Sequence, residues 1–148
     1  MSRSGKTLVV ALGGNAIADP AGQEDVRAQF ARTATTAARL VELVRQGFRL
    51  VITHGNGPQV GDSLQRAELT SPTLQPLPLD VCVAETQGAM GYMIALSLTN
   101  ALRATGLNRP VSTIITTVVV DPRDPAMKKP TKPIGREMTA EEARAHSA

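Results

Sequence analysis

Aromatic side chains are almost missing from this chain, with two Phe, one Tyr and no Trp among 148 residues. A surface that stacks nucleic-acid bases needs several exposed rings, so that class is disfavoured. The core must instead be built from Val, Leu, Ile and Ala, which suits a buried parallel sheet flanked by helices. Cysteine occurs once, as Cys82, so no internal disulfide can form and a reducing, cytoplasmic setting is expected. Cys82 stands between Val81 and Val83 without metal-ligating neighbours, the setting of a buried structural thiol rather than a nucleophile. No C-x-x-C or H-x-x-x-H spacing occurs, so no protein-held metal is expected. Runs of like charge are missing too. The net charge of +3 is spread along the chain and describes a solvated surface that tolerates small anions. No stretch approaches the roughly 18 to 20 apolar residues that cross a membrane. The apolar start, Leu8 to Leu12, is too short for a signal peptide. Neither G-x-G-x-x-G nor G-x-x-x-x-G-K-[ST] is present, which disfavours a Rossmann oxidoreductase and a P-loop kinase.

What is present alternates between two periods. Thr7 to Leu12 is a continuous apolar run rich in β-branched residues and predicts a strand buried on both faces. From Glu24 to Gln46, Val26, Phe30, Ala34, Ala37, Val41 and Val44 recur at threes and fours, and Gly47 stops the helix they predict. Arg49 to Thr53 predicts a second buried strand, and Gln59 to Leu69 a further helix. Ser71 to Pro78 holds three prolines and must be a loop. Asp80 is the expected cap of a long helix over Val81 to Thr105, ending at Gly106. Its Gly88, Ala89 and Gly91 permit close packing. Val111 to Val120 predicts a third strand. This order implies parallel crossovers and an α/β layered fold, and the length suffices for one domain with a core. Asp121 to Gly135 carries four prolines and predicts loop or hairpin, before a helix start with Thr139 as its cap.

Chemistry is expected where the first two strands end. Gly13-Gly14-Asn15 follows one and His54-Gly55-Asn56-Gly57 the other, and loops at the carboxyl ends of parallel strands line the ligand crevice. Each precedes a helix, so backbone N–H groups and helix starts would converge on an anion such as phosphate or carboxylate. Asn15 and Asn56 would add amide donors. His54 has no Ser, Cys or second His nearby and is expected to bond to backbone. Lys132, between Thr131 and Pro133, is one of few lysines and is braced by prolines, but residue chemistry alone describes a surface cation.

Five segments then point to a family. Val9 to Ile17, Thr53 to Gly61, Pro78 to Ala84, Gln87 to Met93 and Pro130 to Gly135, in that order over nearly the whole chain, closely resemble carbamate kinases. The resemblance implies the amino-acid-kinase fold, a three-layer α/β/α sandwich with a mainly parallel central sheet and a protruding hairpin-type subdomain, commonly assembled as a homodimer. It implies that residues 1–120 form an amino-terminal substrate-binding domain and that 121–148 begin the protruding part. Relatives such as acetylglutamate and aspartate kinases carry a lysine two residues before the Gly pair, where this chain has Ala11. In carbamate kinases a lysine on the protruding loop takes that role, which the resemblance assigns to Lys132 as a catalytic residue. It also assigns Gly13, Gly14, Asn15, Gly55, Asn56 and Gly57 to the binding of carbamate or carbamoyl phosphate. The implied reaction transfers a phosphoryl group between ADP and carbamoyl phosphate, with magnesium on the nucleotide, as in arginine fermentation. Family members run to roughly twice this length, so the nucleotide domain, and most of the contacts to ATP, ADP and magnesium, are expected outside these residues. Arg136-Glu137-Met138 replaces the usual Pro-Phe-Tyr continuation. Two alternatives are a non-catalytic fragment that binds carbamoyl phosphate or only dimerises, and a kinase of the same fold acting on a carboxylate. Ala11 and the Pro-Thr-Lys-Pro run disfavour the latter. Neither a nucleic acid nor a membrane is expected as a partner.

Overall fold

The structure is a computed structural model that describes residues 5–17, 25–71, 73–132, 134 and 139–146, with Asn15 described by its backbone. Strand β1 (Thr7–Leu12) leads through a 3-10 turn at Gly14–Ala16 to helix α1 (Val26–Arg45). Strand β2 (Arg49–His54) follows, then α2 (Gly57–Thr70) and the long α3 (Leu79–Ala104). A second 3-10 turn (Pro125–Met127) and the short α4 (Ala140–His146) complete the described order.

The two strands pair in parallel, from Thr7 opposite Arg49 to Leu12 opposite His54. Both chains therefore leave the sheet at the same edge. The period-two burial of β1 corrects the expectation of a strand covered on both faces. Leu12 is buried and Val10 packs on the core, while Val9 is 70% exposed and Val51 in β2 is 49% exposed. The reason is that α1 and α3 both lie on one face. Val10 and Ile52 meet Met90, Met93 and Ile94 towards the site end, and Leu40, Val41, Leu98 and Leu102 towards the other. The described residues thus supply two of the three expected layers.

Each helix end has an identifiable cause. Asp25 caps α1 by accepting from the N–H of Ala28 at 2.8 Å. At its far end Gly47 adopts φ +90°, with Gly47 N–H donating to Val44 and Phe48 N–H to Leu43. The same paired bonds recur at Gly106, φ +74°, closing α3 onto Arg103 and Leu102. In α1 the buried stripe is Thr33, Ala37, Leu40 and Val41. Val26 and Ala34, expected on that stripe, are exposed instead. Thr33 fits the core because its hydroxyl donates to Gln29 O at 2.8 Å, with the Met93 sulfur 3.3 Å away. Helix α3 starts two residues earlier than expected. Pro78 is its cap residue and Asp80 lies in its first turn without making a cap bond.

Two further expectations need correction. Helix α3 is long and apolar enough, by length and composition, to cross a membrane. Here it is the central core helix, packed by α1, α2 and the chain after Pro110, while Leu79, Val81, Tyr92 and Leu96 on it stay exposed. Residues 111–120 form no strand. They run along α3 in the opposite sense, with Thr113 at Gly91, Ile115 at Gly88 and Thr116 at Gln87. A ladder requires a neighbouring backbone, and here the Gln87 side-chain amide stands in for one. Its Oε1 accepts from Thr116 N–H at 2.9 Å and its Nε2 donates to Thr116 O at 3.4 Å. Beyond this clasp Val118, Val119 and Val120 are exposed. Of the small residues expected to allow close packing, Gly91 and Gly88 do so; Ala89 faces solvent.

Candidate functional site

The register places the two glycine turns side by side. Leu12 and His54 are the last paired residues, so Gly13-Gly14-Asn15 and Gly55-Asn56-Gly57 emerge from neighbouring strand ends. The first turn is firmly built. Ala16 N–H donates to Gly13 O and Ile17 N–H to Gly14 O, while Thr36 of α1 donates its hydroxyl to Ala16 O at 2.8 Å. Ile17 seals the turn from below, buried among Met90, Met93 and Ile94. The first N–H groups of this 3-10 turn have no intrahelical acceptors, as at any helix start.

The glycines themselves carry information. A Cβ built on Gly13, Gly14, Gly55 or Gly57 meets no atom within 4 Å, and none of the four has a positive φ. Neither packing nor backbone conformation within the described residues requires glycine there.

At the second turn, Asn56 is the N-cap residue of α2, with φ −149° and ψ 16°, yet its side chain makes no cap bond. Its amide nitrogen turns to α3 and donates to Thr86 Oγ1 at 2.9 Å and to Val83 O at 3.3 Å. The amide nitrogen is thereby committed to α3, while the Asn56 backbone carbonyl accepts from Val60 N–H at 2.9 Å. His54 directs Nδ1 at Gly55 O, 3.1 Å away, a backbone-bonded histidine as expected. Cys82 is fully buried, also as expected.

Lys132 is exposed in the irregular segment after the Pro125–Met127 turn, with Lys128 and Lys129 exposed before it. Pro133, Gly135 and Arg136-Glu137-Met138 lie outside the described residues. Asp121 opens this segment with a clasp, accepting from Arg123 backbone N–H, Nε and Nη2 at 2.9, 3.1 and 3.0 Å. The side-chain bond from Arg123 is the main cause that lowers the Asp121 pKa. A hollow of about 450 Å³ opens elsewhere, between α2, residues 74–77 and Glu85 of α3, and none of the turn glycines lines it. Among the described residues no three His, Cys, Asp or Glu side chains gather in a way that could hold a metal ion.

Sequence reasoning missed Thr86 and Gln87, which hold the second turn and the 111–116 segment. The signal was a polar pair inside an apolar helix, where each needs a buried partner.

Comparison with known proteins adds the lineage. The model of the amino acid kinase family matches residues 6–140. Carbamate kinase 1 of Enterococcus faecium is 47% identical over 141 residues, covering 95% of this chain and 45% of its own. Carbamate kinase of Pyrococcus furiosus is 42% identical, with 88% and 42% covered. Among solved structures, carbamate kinase from Giardia lamblia bound to citric acid superposes with a TM-score of 0.89 at 36% identity, over 99% of this chain and 47% of that one. The chain spans about half the length of the curated relatives it matches. With its parallel α/β core and the paired turns in register, this chain belongs to the amino acid kinase family and matches the carbamate kinases within it.

Proposed function

We propose that this chain supplies the carbamate and carbamoyl phosphate site of a carbamate kinase. The observation that carries the reading is the pairing of Leu12 with His54, which sets two glycine turns together at one sheet edge. Their glycines are required by no contact or dihedral of the described fold. In this reading the backbones of Gly13, Gly14, Asn15, Gly55, Asn56 and Gly57 cradle the anion, aided by the starts of the 3-10 turn and α2. Lys132 brings the cation that balances the transferring phosphoryl group. An oxygen of the ADP β-phosphate attacks phosphorus, the bond from phosphorus to the carbamate oxygen breaks, and carbamate leaves with that electron pair. The chain's share is positioning and charge balance, without a covalent intermediate. Magnesium would arrive on the nucleotide.

The relatives' length adds the rest of the reading. Residues 1–120 act as the substrate-binding domain and 121–148 begin the protruding subdomain, with nucleotide held by the half that the relatives have in addition. Homodimerisation, a cytoplasmic location and a place in arginine breakdown belong to the same reading. The 148-residue chain alone is then a binding module. It should take up carbamoyl phosphate in calorimetry yet make little or no ATP from ADP and carbamoyl phosphate. Robust ATP formation by the pure chain overturns the division of labour. In a chain extended through the second half of a carbamate kinase, Lys132→Ala should lower kcat at least about tenfold, roughly 1.4 kcal/mol of barrier. An unchanged rate returns Lys132 to the solvated surface.

A further inference from the structure

Asn56 occupies the N-cap position of α2, where an asparagine ordinarily turns its side-chain oxygen onto the first-turn N–H groups. Here it does not. Its amide is drawn to α3 by two acceptors, Thr86 Oγ1 and Val83 O. Val83 O only accepts, so the amide nitrogen must face α3. Thr86 is itself buried and fixed, its hydroxyl donating to Cys82 O at 2.9 Å and lying 3.0 Å from Val83 O. With that hydrogen spent inside the helix, the Thr86 oxygen has a lone pair left for Asn56. The first turn of α2, at Gly57 and Gln59, is consequently left without a side-chain cap beside the crevice.

We propose that Thr86 is a positioning residue for the anion site: by holding the Asn56 amide against α3, it keeps the α2 helix start open to the substrate. Threonine suits the role because its hydroxyl donates within its own helix and accepts from the loop at once. Without that acceptor only the longer, 3.3 Å bond to Val83 O holds the Asn56 amide, so the side chain spends more time at its ordinary capping place, where it competes with the anion for the same N–H groups. This inference rests on the proposed carbamoyl phosphate site.

The test titrates carbamoyl phosphate into the 148-residue chain and into Thr86→Val, Thr86→Ser, Asn56→Ala and the Asn56→Ala/Thr86→Val double variant. Thr86→Val, close in shape but lacking the acceptor, should weaken binding about fivefold, the effect of one net hydrogen bond. Thr86→Ser should restore binding to within about twofold of the parent, since the hydroxyl is what matters. Once Asn56 is alanine, Thr86→Val should have no further effect, which a merely structural role of Thr86 would not produce. Binding by Thr86→Val equal to the parent, or additive losses in the double variant, overturns the inference while leaving the site standing. If the parent takes up no carbamoyl phosphate, the site reading fails and the inference falls with it. Should Thr86→Val not fold, Thr86→Ala, which cannot overpack, replaces it in the same cycle with the same expected losses.

Discussion

Glycine serves opposite purposes at different positions of this chain, and substitution separates them. Gly47 and Gly106 hold φ of +90° and +74°, where a Cβ is strained, so alanine at either should cost about 1 kcal/mol in denaturant unfolding. Gly91 is needed for space. A Cβ there would run into the Thr113 side chain, with Oγ1 at 3.2 Å. Gly91→Ala should destabilise by about 1–3 kcal/mol and loosen the 111–116 segment, seen as faster amide exchange. Gly13 and Gly55 are the contrasting case. Alanine fits both conformation and space, so Gly13→Ala or Gly55→Ala should keep or slightly raise the melting temperature. The same variants should lose carbamoyl phosphate affinity on the order of tenfold, about 1.4 kcal/mol. A variant that keeps its affinity would make these glycines neutral turns. At Asp121 the sign follows from the lowered carboxyl pKa. The Arg123 clasp is present above the ordinary carboxylate range and lost as pH falls through the lowered value. Local order in the turn, followed by NMR, should therefore fade below the pH at which an ordinary aspartate protonates, and in Asp121→Asn it should be weak at all pH.

The elements show what could be read from residues and what could not. The two strands, four helices and both glycine stops of the described residues are legible because each is announced locally, by a short β-branched apolar run, a 3.6 period, a cap or a residue able to take positive φ. Burial was less legible, because it depends on partners distant in sequence. The apolar run of β1 says that Val9 is hydrophobic, but which sheet face carries helices is decided by where α1 and α3 pack. Residues 111–120 have strand composition, yet a strand exists only beside another backbone, and here Gln87 supplies the one peptide-like partner. Of the site, the two turns and their adjacency follow from parallel strands. The turning of Asn56 from its cap towards Thr86 does not, since both choices satisfy the same amide locally.

For the molecule as a whole, apolar surface is the main consequence of this architecture. Val9 and Val51 on the open sheet face, Ile114 within the clasped segment, and Val118, Val119 and Val120 beyond it, are exposed. Patches of this kind drive association. Sedimentation should show the 148-residue chain associating with rising concentration, and Val118→Lys with Val119→Lys should reduce it without lowering the melting temperature. An unchanged sedimentation profile would place the contact elsewhere, on the sheet face.

Helix α3 runs 26 residues, about 39 Å, and two successive side chains on it face separate tasks. Thr86 fastens the second glycine turn, and Gln87 fastens the chain that leads on to Lys132. One rigid rod thus holds both the second glycine turn and the start of the chain that runs on from Thr116, like a jig with two clamps. A slide or roll of that rod shifts both clamps together, so a cavity cut in its buried side, even at distant Leu102, should be felt at the second glycine turn and at Thr116 alike, seen as matched changes in their amide exchange.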